Sequence, residues 1–544
     1  MNAIFRFLGR DVGSIHHAAY TLAVSALFTQ ILGLIRDRLL AGTFGAGELL
    51  DIYYAAFKVQ DFIFYAIGSL LSLAVLIPLV SNRLENEGIE KTRRFLDGLF
   101  SFSFLLIAIF ASIAFIFAPQ LAAFIFPGLM GGVYENELIF LMRFLLLSPF
   151  FFSFSGILAS IVQLHNRFYI TALSPLLYNF GIIIGIVLFY PLFGLKGLGA
   201  GVILGAFLHM GVQLPFVIKK GLLPHPTLSI LWSDMKEVLN LSFFRGVGIS
   251  IQQIMLIFIL GFSTTLASGS VSVMTFAQNL QGIPLSLIGA SYSVATFPVL
   301  SRFFSEGDKG AFILQLQSAA RHIIFWSVPF AALFIVLRAQ IVRVILGSGA
   351  FSWSDTRLVA ACLALFAVSV VFQGLSLLLI RAYYASGLNK EGLVVSLISA
   401  VTTVVFSYAG VSLFEQSQLA RDFFENLLRV EGIKGSSVIM LALAFSIGSF
   451  VNTFSLALYL RRKFSFAFNI GETAFHSFAA SVSMGFVSYQ FLDYFGTIFN
   501  LKTTLGIFLQ GFFAGVLGIL FGAFLLLIMK NKEALEVFGR AAGA

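Results

Sequence analysis

Residues 30–78 read QILGLIRDRLLAGTFGAGELLDIYYAAFKVQDFIFYAIGSLLSLAVLIP. The stretch is apolar enough to lie in a bilayer, yet it holds Arg36, Asp37, Arg38, Asp51, Lys58 and Asp61. A charge in the hydrocarbon costs roughly 2.5–3.5 kcal/mol on insertion scales, so charges at this density are expected to face a bundle interior or a watery cavity. The fold this implies is an all-α polytopic membrane protein whose first two spans carry a polar lining.

The rest of the chain is of the same kind. Of 544 residues, 59% are hydrophobic and 11% charged, and the mean hydropathy is +0.96. A soluble domain carries about 25% charged residues. The 49 glycines suit close helix approach, and the 65 phenylalanines suit a lipid-facing surface. The net charge of +9 is expected to reflect Lys and Arg in cytoplasmic loops; no nucleic-acid partner is implied. Cys362 is the sole cysteine, which excludes a disulfide within the chain. The start, MNAIFRFLGRDVGSIHH, is short and mixed, and the first long apolar run reads as a retained span.

With about 20 apolar residues needed to cross a bilayer, the chain reads as about 14 spans: 17–40, 50–81, 97–118, 137–163, 168–192, 197–218, 237–266, 270–300, 314–338, 356–386, 391–413, 435–460, 470–494 and 503–529. Pro149, Pro175, Pro284 and Pro329 are expected bend sites. Basic residues cluster after spans 2, 6, 8 and 12 and in the tail, as Arg83, Lys91, Arg93, Arg94, then Lys219, Lys220 and Lys236, then Arg302 and Lys309, then Arg461, Arg462 and Lys463, then Lys530, Lys532 and Arg540. The positive-inside rule then puts both termini in the cytoplasm. The exceptions are Arg338, Arg343 and Arg357, and a mixed loop at 414–434 that reads as a small helical hairpin or surface helix outside the membrane.

An internal repeat is visible. FGAGELLDIYYAAFKVQDFIFYAIG from Phe44 echoes LASGSVSVMTFAQNLQGIPLSLIG from Leu266, and FSGILASIVQLHNRF from Phe154 echoes FQGLSLLLIRAYYAS from Phe372. The offsets are 222 and 218 residues. Each repeat holds six spans, so the halves are expected to run parallel, as in alternating-access transporters with a cavity between them. The expected organisation is two pseudo-symmetric six-helix lobes, 1–220 and 221–465, with two further helices and a tail in 466–544.

No Walker loop, metal-spaced His/Cys cluster or nucleophile elbow occurs in the sequence, so the reading is a transporter and not an enzyme, with no cofactor. Without an ATP site, transport is expected to draw on a membrane potential, a monovalent-ion gradient or the substrate gradient. Arg36 and Asp37 are adjacent and project about 100° apart on a helix. They suit a cavity cation beside a partnered acid, or an interfacial anchor pair at the end of span 1. Asp51, Lys58 and Asp61 share one helix face, as a lining or as a self-neutralised set. Arg143, alone in LIFLMRFLLLSP, either faces the cavity or snorkels. Gln252, Gln253, Gln278, Asn279 and Gln281 make the second half polar but uncharged, a pattern that also serves as helix–helix glue. Gly45 and Gly47 form a tight turn or a hinge at a cavity mouth.

The residues ILGLIRDRLLAGTFGAGELLDIYYAAFK resemble the first two helices of the MviN/MurJ family, the lipid II flippases of peptidoglycan synthesis. Further similarity lies in QLHNRFYITALSPLLYN (163–179), LASGSVSVMTFAQNLQGIP (266–284) and LIRAYYASGLNKEGLVVSLISAV (379–401). The resemblance implies a member of the MOP exporter superfamily: two six-helix lobes, a central V-shaped cavity and two extra helices forming a lipid-facing groove. It implies a cationic cavity for the diphosphate and headgroup of lipid II, in the bacterial inner membrane. Arg36, Asp37 and Asp51 match family positions regarded as functional. Three cationic positions of the family fall on Gln30, Phe64 and Asn279 here, its Pro-Asn falls on Gln60-Asp61, and its Glu-Gly falls on Ser69-Leu70. Lys58 remains and Arg143 is a candidate replacement. The expected partners are the lipid-linked substrate and membrane lipids, with the chain working as a monomer. The alternatives are another transporter of the superfamily, moving a polysaccharide repeat or exporting drugs by cation coupling, and a non-transporting membrane scaffold.

Overall fold

A computed structural model describes residues 15–68, 73–465 and 468–542, and all regular structure among them is helical. Eleven described helices are long and apolar enough to cross a membrane. The expected spans 1, 2 and 13 fall on helices outside that set. These are Ile15–Phe44, the charged helix Glu48–Gly68 followed by Leu73–Asn86, and Gly471–Ile498. The prolines act in two ways. Pro149 starts a new helix, Ser148–Leu164, and Pro284 ends helix Ser270–Pro284 where a π turn, Leu285–Ala290, begins. Pro175 and Pro329 lie inside continuous helices.

Packing divides the chain into two units, Met1–Leu40 with Glu48–Thr265, and Ala41–Gly47 with Leu266–Ala544. The division comes one span later than the repeat period places it, because helix Trp232–Thr264 packs along helix Glu48–Gly68. Its first turns are held by charge. Arg83 reaches Asp234 at 3.2 Å and Glu237 at 2.7 Å, with its guanidinium 4.2 Å above the Phe95 ring. Burial works against the Arg83 charge, but the hydrogen bonds to Glu237 and Asp234 outweigh it and raise its pKa.

Each unit has its own apolar core, built around Leu76, Phe95, Ile157 and Met235 in the first and around Leu300, Phe312, Leu379 and Leu456 in the second. The repeat shows in where helices start. Glu48 and Ser270 each open a helix directly after a glycine, 222 residues apart. The second pair of helix ends, Leu164 and Ala385, lies 221 apart. The 218-residue offset of the quoted match is thus three residues short, close to one helical turn, a slip that keeps apolar residues on the same face. The turns after these ends both contain a left-handed residue, Asn166 (φ 56°) and Gly387 (φ 71°).

In the second unit the terminal helix Lys532–Ala542 docks by one buried carboxylate. Glu533 is 3% exposed, pairs with Arg321 Nε at 3.0 Å and accepts from the Thr473 hydroxyl at 3.1 Å. Ala534 closes the contact against Phe325, Ala480 and Leu526. Replacing Glu533→Ala is expected to destabilise the protein by about 1–3 kcal/mol, since the hydroxyl and guanidinium lose a buried acceptor. The unfolding temperature in detergent should fall and the tail helix should become cleavable by protease. An unchanged temperature with an intact tail would show that the pair contributes nothing.

Candidate functional site

The charged residues singled out in the first unit start on helix Ile15–Phe44. Arg36 and Asp37 project in different directions from the backbone, but their side chains close on each other. Arg36 Nε and Nη2 donate to Asp37 Oδ1 at 2.9 and 2.7 Å. Arg36 Nη1 donates to Asn179 Oδ1 at 3.0 Å, and Asn179 Nδ2 is anchored on the Pro175 carbonyl. These bonds engage three of the five guanidinium N–H donors. Asp37 is 4% exposed while Arg36 keeps 22%, so the carboxylate is enclosed and the cation still has donors and surface to offer a ligand.

Helix Glu48–Gly68 supplies the next members. Asp51 lies in its first turn, where the helix dipole favours an acid, and is 2% exposed. Lys58 Nζ stands 4.0 Å from Asp61 Oδ2, with side-chain exposures of 19% and 29%. At that separation the pair is at the outer limit of an ion contact, and both groups keep access. Gln60 is buried; it donates to Asp61 at 3.1 Å and accepts from the Ser148 hydroxyl. Both Arg36 and Lys58 therefore carry a carboxylate neighbour, so the cationic character that the family resemblance implies is locally compensated.

At Phe64 the resemblance implies a cation, and this chain makes an apolar contact. Phe64 packs on Phe152 at 5.2 Å, and Phe152 meets Tyr178 at 5.1 Å and His209 at 5.4 Å. Beside this cluster, Ser155 bonds His209 Nδ1 at 2.8 Å and Gln213 Nε2 donates to Ser155 at 2.5 Å. His209 reads from the sequence as a packed or pore-facing histidine in an apolar span; Tyr178, Ser155 and Gln213 carry no such signal on their own. Asn179 was missed, although it stands as a lone amide in the apolar run FYITALSPLLYNFGIII.

The remaining candidates lie elsewhere. Arg143 does not join the Arg36 cluster; its Nε donates to the Phe115 carbonyl at 3.0 Å and its guanidinium lies 5.0 Å from the Phe115 ring, so it caps the end of helix Ile89–Ile116. Asn279 is half-buried on helix Ser270–Pro284 of the second unit. Ser69 and Leu70 lie outside the described residues. Gly45 has φ +64°, and a Cβ there would stand 2.9 Å from the Ala350 carbonyl oxygen. With the Gly42 carbonyl accepting from Ala350 N at 2.8 Å, the FGAG turn is docked on the 348–351 turn. Gly47 has ordinary φ, and a Cβ there would meet the Phe44 carbonyl oxygen at 3.6 Å. A cavity of about 290 Å³ beside it, lined by Ala46, Gly269, Asp355 and Lys434, shares no residue with the Arg36 cluster.

The basic residues that break the loop-charge pattern are occupied by backbone carbonyls. Arg338 reaches Leu428 O, Arg343 reaches Phe351 O, and Arg357 donates to Arg429 O at 2.7 Å while pairing with Glu431 at 3.0 Å.

Comparison with known proteins adds to this geometry. A family model described as lipid II flippase MurJ matches residues 40–508, a match that begins just after Arg36 and Asp37. A Thermotoga maritima protein called probable lipid II flippase MurJ is 28% identical over 374 residues, covering 67% of this chain and 74% of that one. A Buchnera aphidicola (subsp. Baizongia pistaciae) protein of the same description is 24% identical over 404 residues, covering 74% and 79%. Among solved structures, a lipid II flippase MurJ in an inward closed conformation shares the fold with a TM-score of 0.73 at 22% identity, covering 95% of this chain and 99% of that one. An inward-facing MATE-family multidrug resistance transporter of the MOP superfamily does so with a TM-score of 0.64 at 16% identity, covering 82% and 98%.

Proposed function

The chain belongs to the family described as lipid II flippase MurJ, and on that premise we propose that it moves lipid II across the bacterial inner membrane by alternating access, with both termini in the cytoplasm. The observation that supports a role for the first unit is the half-open Arg36, held by Asp37 and Asn179 with donors to spare. Arg–phosphate contacts are short, charge-assisted and often bidentate, which suits a diphosphate. Lys58, loosely held by Asp61, is a further cation of the same unit that keeps access. The undecaprenyl chain remains in lipid while the headgroup crosses. Transport draws on the membrane potential or a monovalent-ion gradient.

Expressing the chain in bacteria depleted of their own lipid II flippase tests the reading. Growth rescue together with lipid II exposed on the outer face is expected. Folded protein in the membrane without exposure would overturn the substrate assignment. One observation favours a second reading, a different substrate within the same superfamily: Phe64 stands in an aromatic cluster where the family resemblance calls for a cation. Acquired drug resistance in the same cells would mark an exporter.

A further inference from the structure

Helix Gln418–Leu428, QLARDFFENLL, leaves helix Asn389–Gln416 after a single residue, Ser417. Ser417 caps the new helix by accepting from Ala420 N. The preceding helix is long and apolar enough to span the membrane, and its surface down to Leu413 is exposed and apolar, including Val401, Val405, Phe406 and Leu413. A one-residue link leaves the short helix no room to move away from the end of that span.

Its side chains form three parallel stripes. Leu428 is buried, with Arg421, Phe424 and Glu425 half-buried on the same side. Leu419, Phe423 and Leu427 are exposed by 82%, 58% and 57%. Gln418, Asp422 and Asn426 are exposed as well and tie themselves together, Gln418 to the Asp422 carboxylate at 2.8 Å and Asn426 to the Asp422 carbonyl at 2.7 Å. Residues one position apart lie about 100° apart on a helix, so an apolar stripe and a self-satisfied polar stripe run side by side on the open surface. A helix in water has no use for the first, and a helix in a protein interface rarely leaves the second intact beside it.

We propose that this helix is an interfacial float, with Leu419, Phe423 and Leu427 inserted among lipid chains and Gln418, Asp422 and Asn426 facing water, as amphipathic surface helices do. The occupant is the bilayer itself, because the apolar stripe continues the exposed surface of the span it follows. The helix is rigidly joined to the rest of its unit. Its last carbonyls accept from Arg338 and Arg357, Glu425 accepts from Ser436 at 2.6 Å, and Arg429 donates to Tyr489 on helix Gly471–Ile498 at 3.2 Å. A float so braced fixes the depth of the second unit's helices in the membrane.

The test places an environment-sensitive fluorophore on Leu419→Cys, Phe423→Cys, Gln418→Cys and Asp422→Cys variants of the full chain, one at a time. Cys362 is fully buried, and the parent protein reports its background. In phosphatidylethanolamine–phosphatidylglycerol vesicles, labels at 419 and 423 are expected to emit blue-shifted light and to lose emission to a nitroxide lipid more than to iodide. The order should reverse at 418 and 422. Iodide quenching at 419 and 423 equal to that at 422 would put the face in water and overturn the proposal. Protection from both quenchers would put it under a second copy or a partner protein and overturn it equally.

Discussion

Arg36→Ala is expected to abolish rescue of flippase-depleted cells, the largest loss of any single side chain in the first unit. Each charge-assisted hydrogen bond is worth about 1.5–3 kcal/mol, which converts to roughly ten- to hundred-fold per contact removed. The difficulty is that Asp37 is 4% exposed, and removing one partner of a buried ion pair destabilises a protein by about 3–5 kcal/mol. A failed rescue by the single variant would therefore have two explanations. The double variant Arg36→Met with Asp37→Leu separates them, because replacing both members of a buried ion pair by apolar residues of similar volume is often close to neutral for stability. If Arg36 holds the substrate, the double variant accumulates at normal level, unfolds at the normal temperature and still fails to expose lipid II. If the pair is only structural, the double variant rescues growth, and the role assigned to Arg36 is lost. Arg36→Lys should lie between, since an ammonium keeps the charge but cannot serve Asp37, Asn179 and a phosphate in one fork.

The membrane bundle and the helix starts after FGAG and LASG were legible in the sequence, because each rests on local properties: hydropathy and a glycine before a helix. What was not legible depends on which distant groups meet. Arg36 and Asp37 point apart by helix geometry, and only long, flexible side chains in a confined space bring them together. Asn179 lies 143 residues from Arg36. Arg143 reads as a cavity cation or as a snorkelling one, and only the fold brings its side chain to the Phe115 carbonyl at a helix end. Arg338 and Arg357 break the loop-charge rule for a similar reason. They cap the last carbonyls of the short helix in the 414–434 segment, whose composition reads as a helical hairpin or surface helix without showing which distant arginines reach it. Helix Trp232–Thr264 opens the second repeat by sequence and yet packs with the first unit, where Asp234 and Glu237 find Arg83.

Gly201→Leu is expected to unfold the first unit or cripple its assembly. Helices Phe168–Ile184 and Leu195–Gly211, with the π turn Gly185–Phe189, meet through glycines spaced four apart: Gly181 and Gly185 on one side, Gly197, Gly201 and Gly205 on the other. A Cβ on Gly201 would stand 2.9 Å from Gly185 N and 3.0 Å from Gly181 O, and one on Gly185 would stand 2.6 Å from Gly201 Cα. The obstacle on each side is backbone, which cannot rotate away as a side chain does. Ordinary overpacking costs about 1–3 kcal/mol, and here about 3 kcal/mol or more is expected, read as a fall in unfolding temperature in detergent. Gly211→Leu is the control: the same helix ends there, a Cβ would meet nothing within 4 Å, and the unfolding temperature of that variant should not move. If the two variants behave alike, close glycine packing is not what holds these helices. The consequence for transport follows from chain position. Asn179 and Tyr178 precede Gly181 by two and three residues, and the Gly205 Cβ direction points at Tyr178, 3.0 Å from its ring. Prising the helices apart moves Asn179 away from Arg36, so partial suppressors of Gly201→Ala should restore the unfolding temperature and lipid II exposure together.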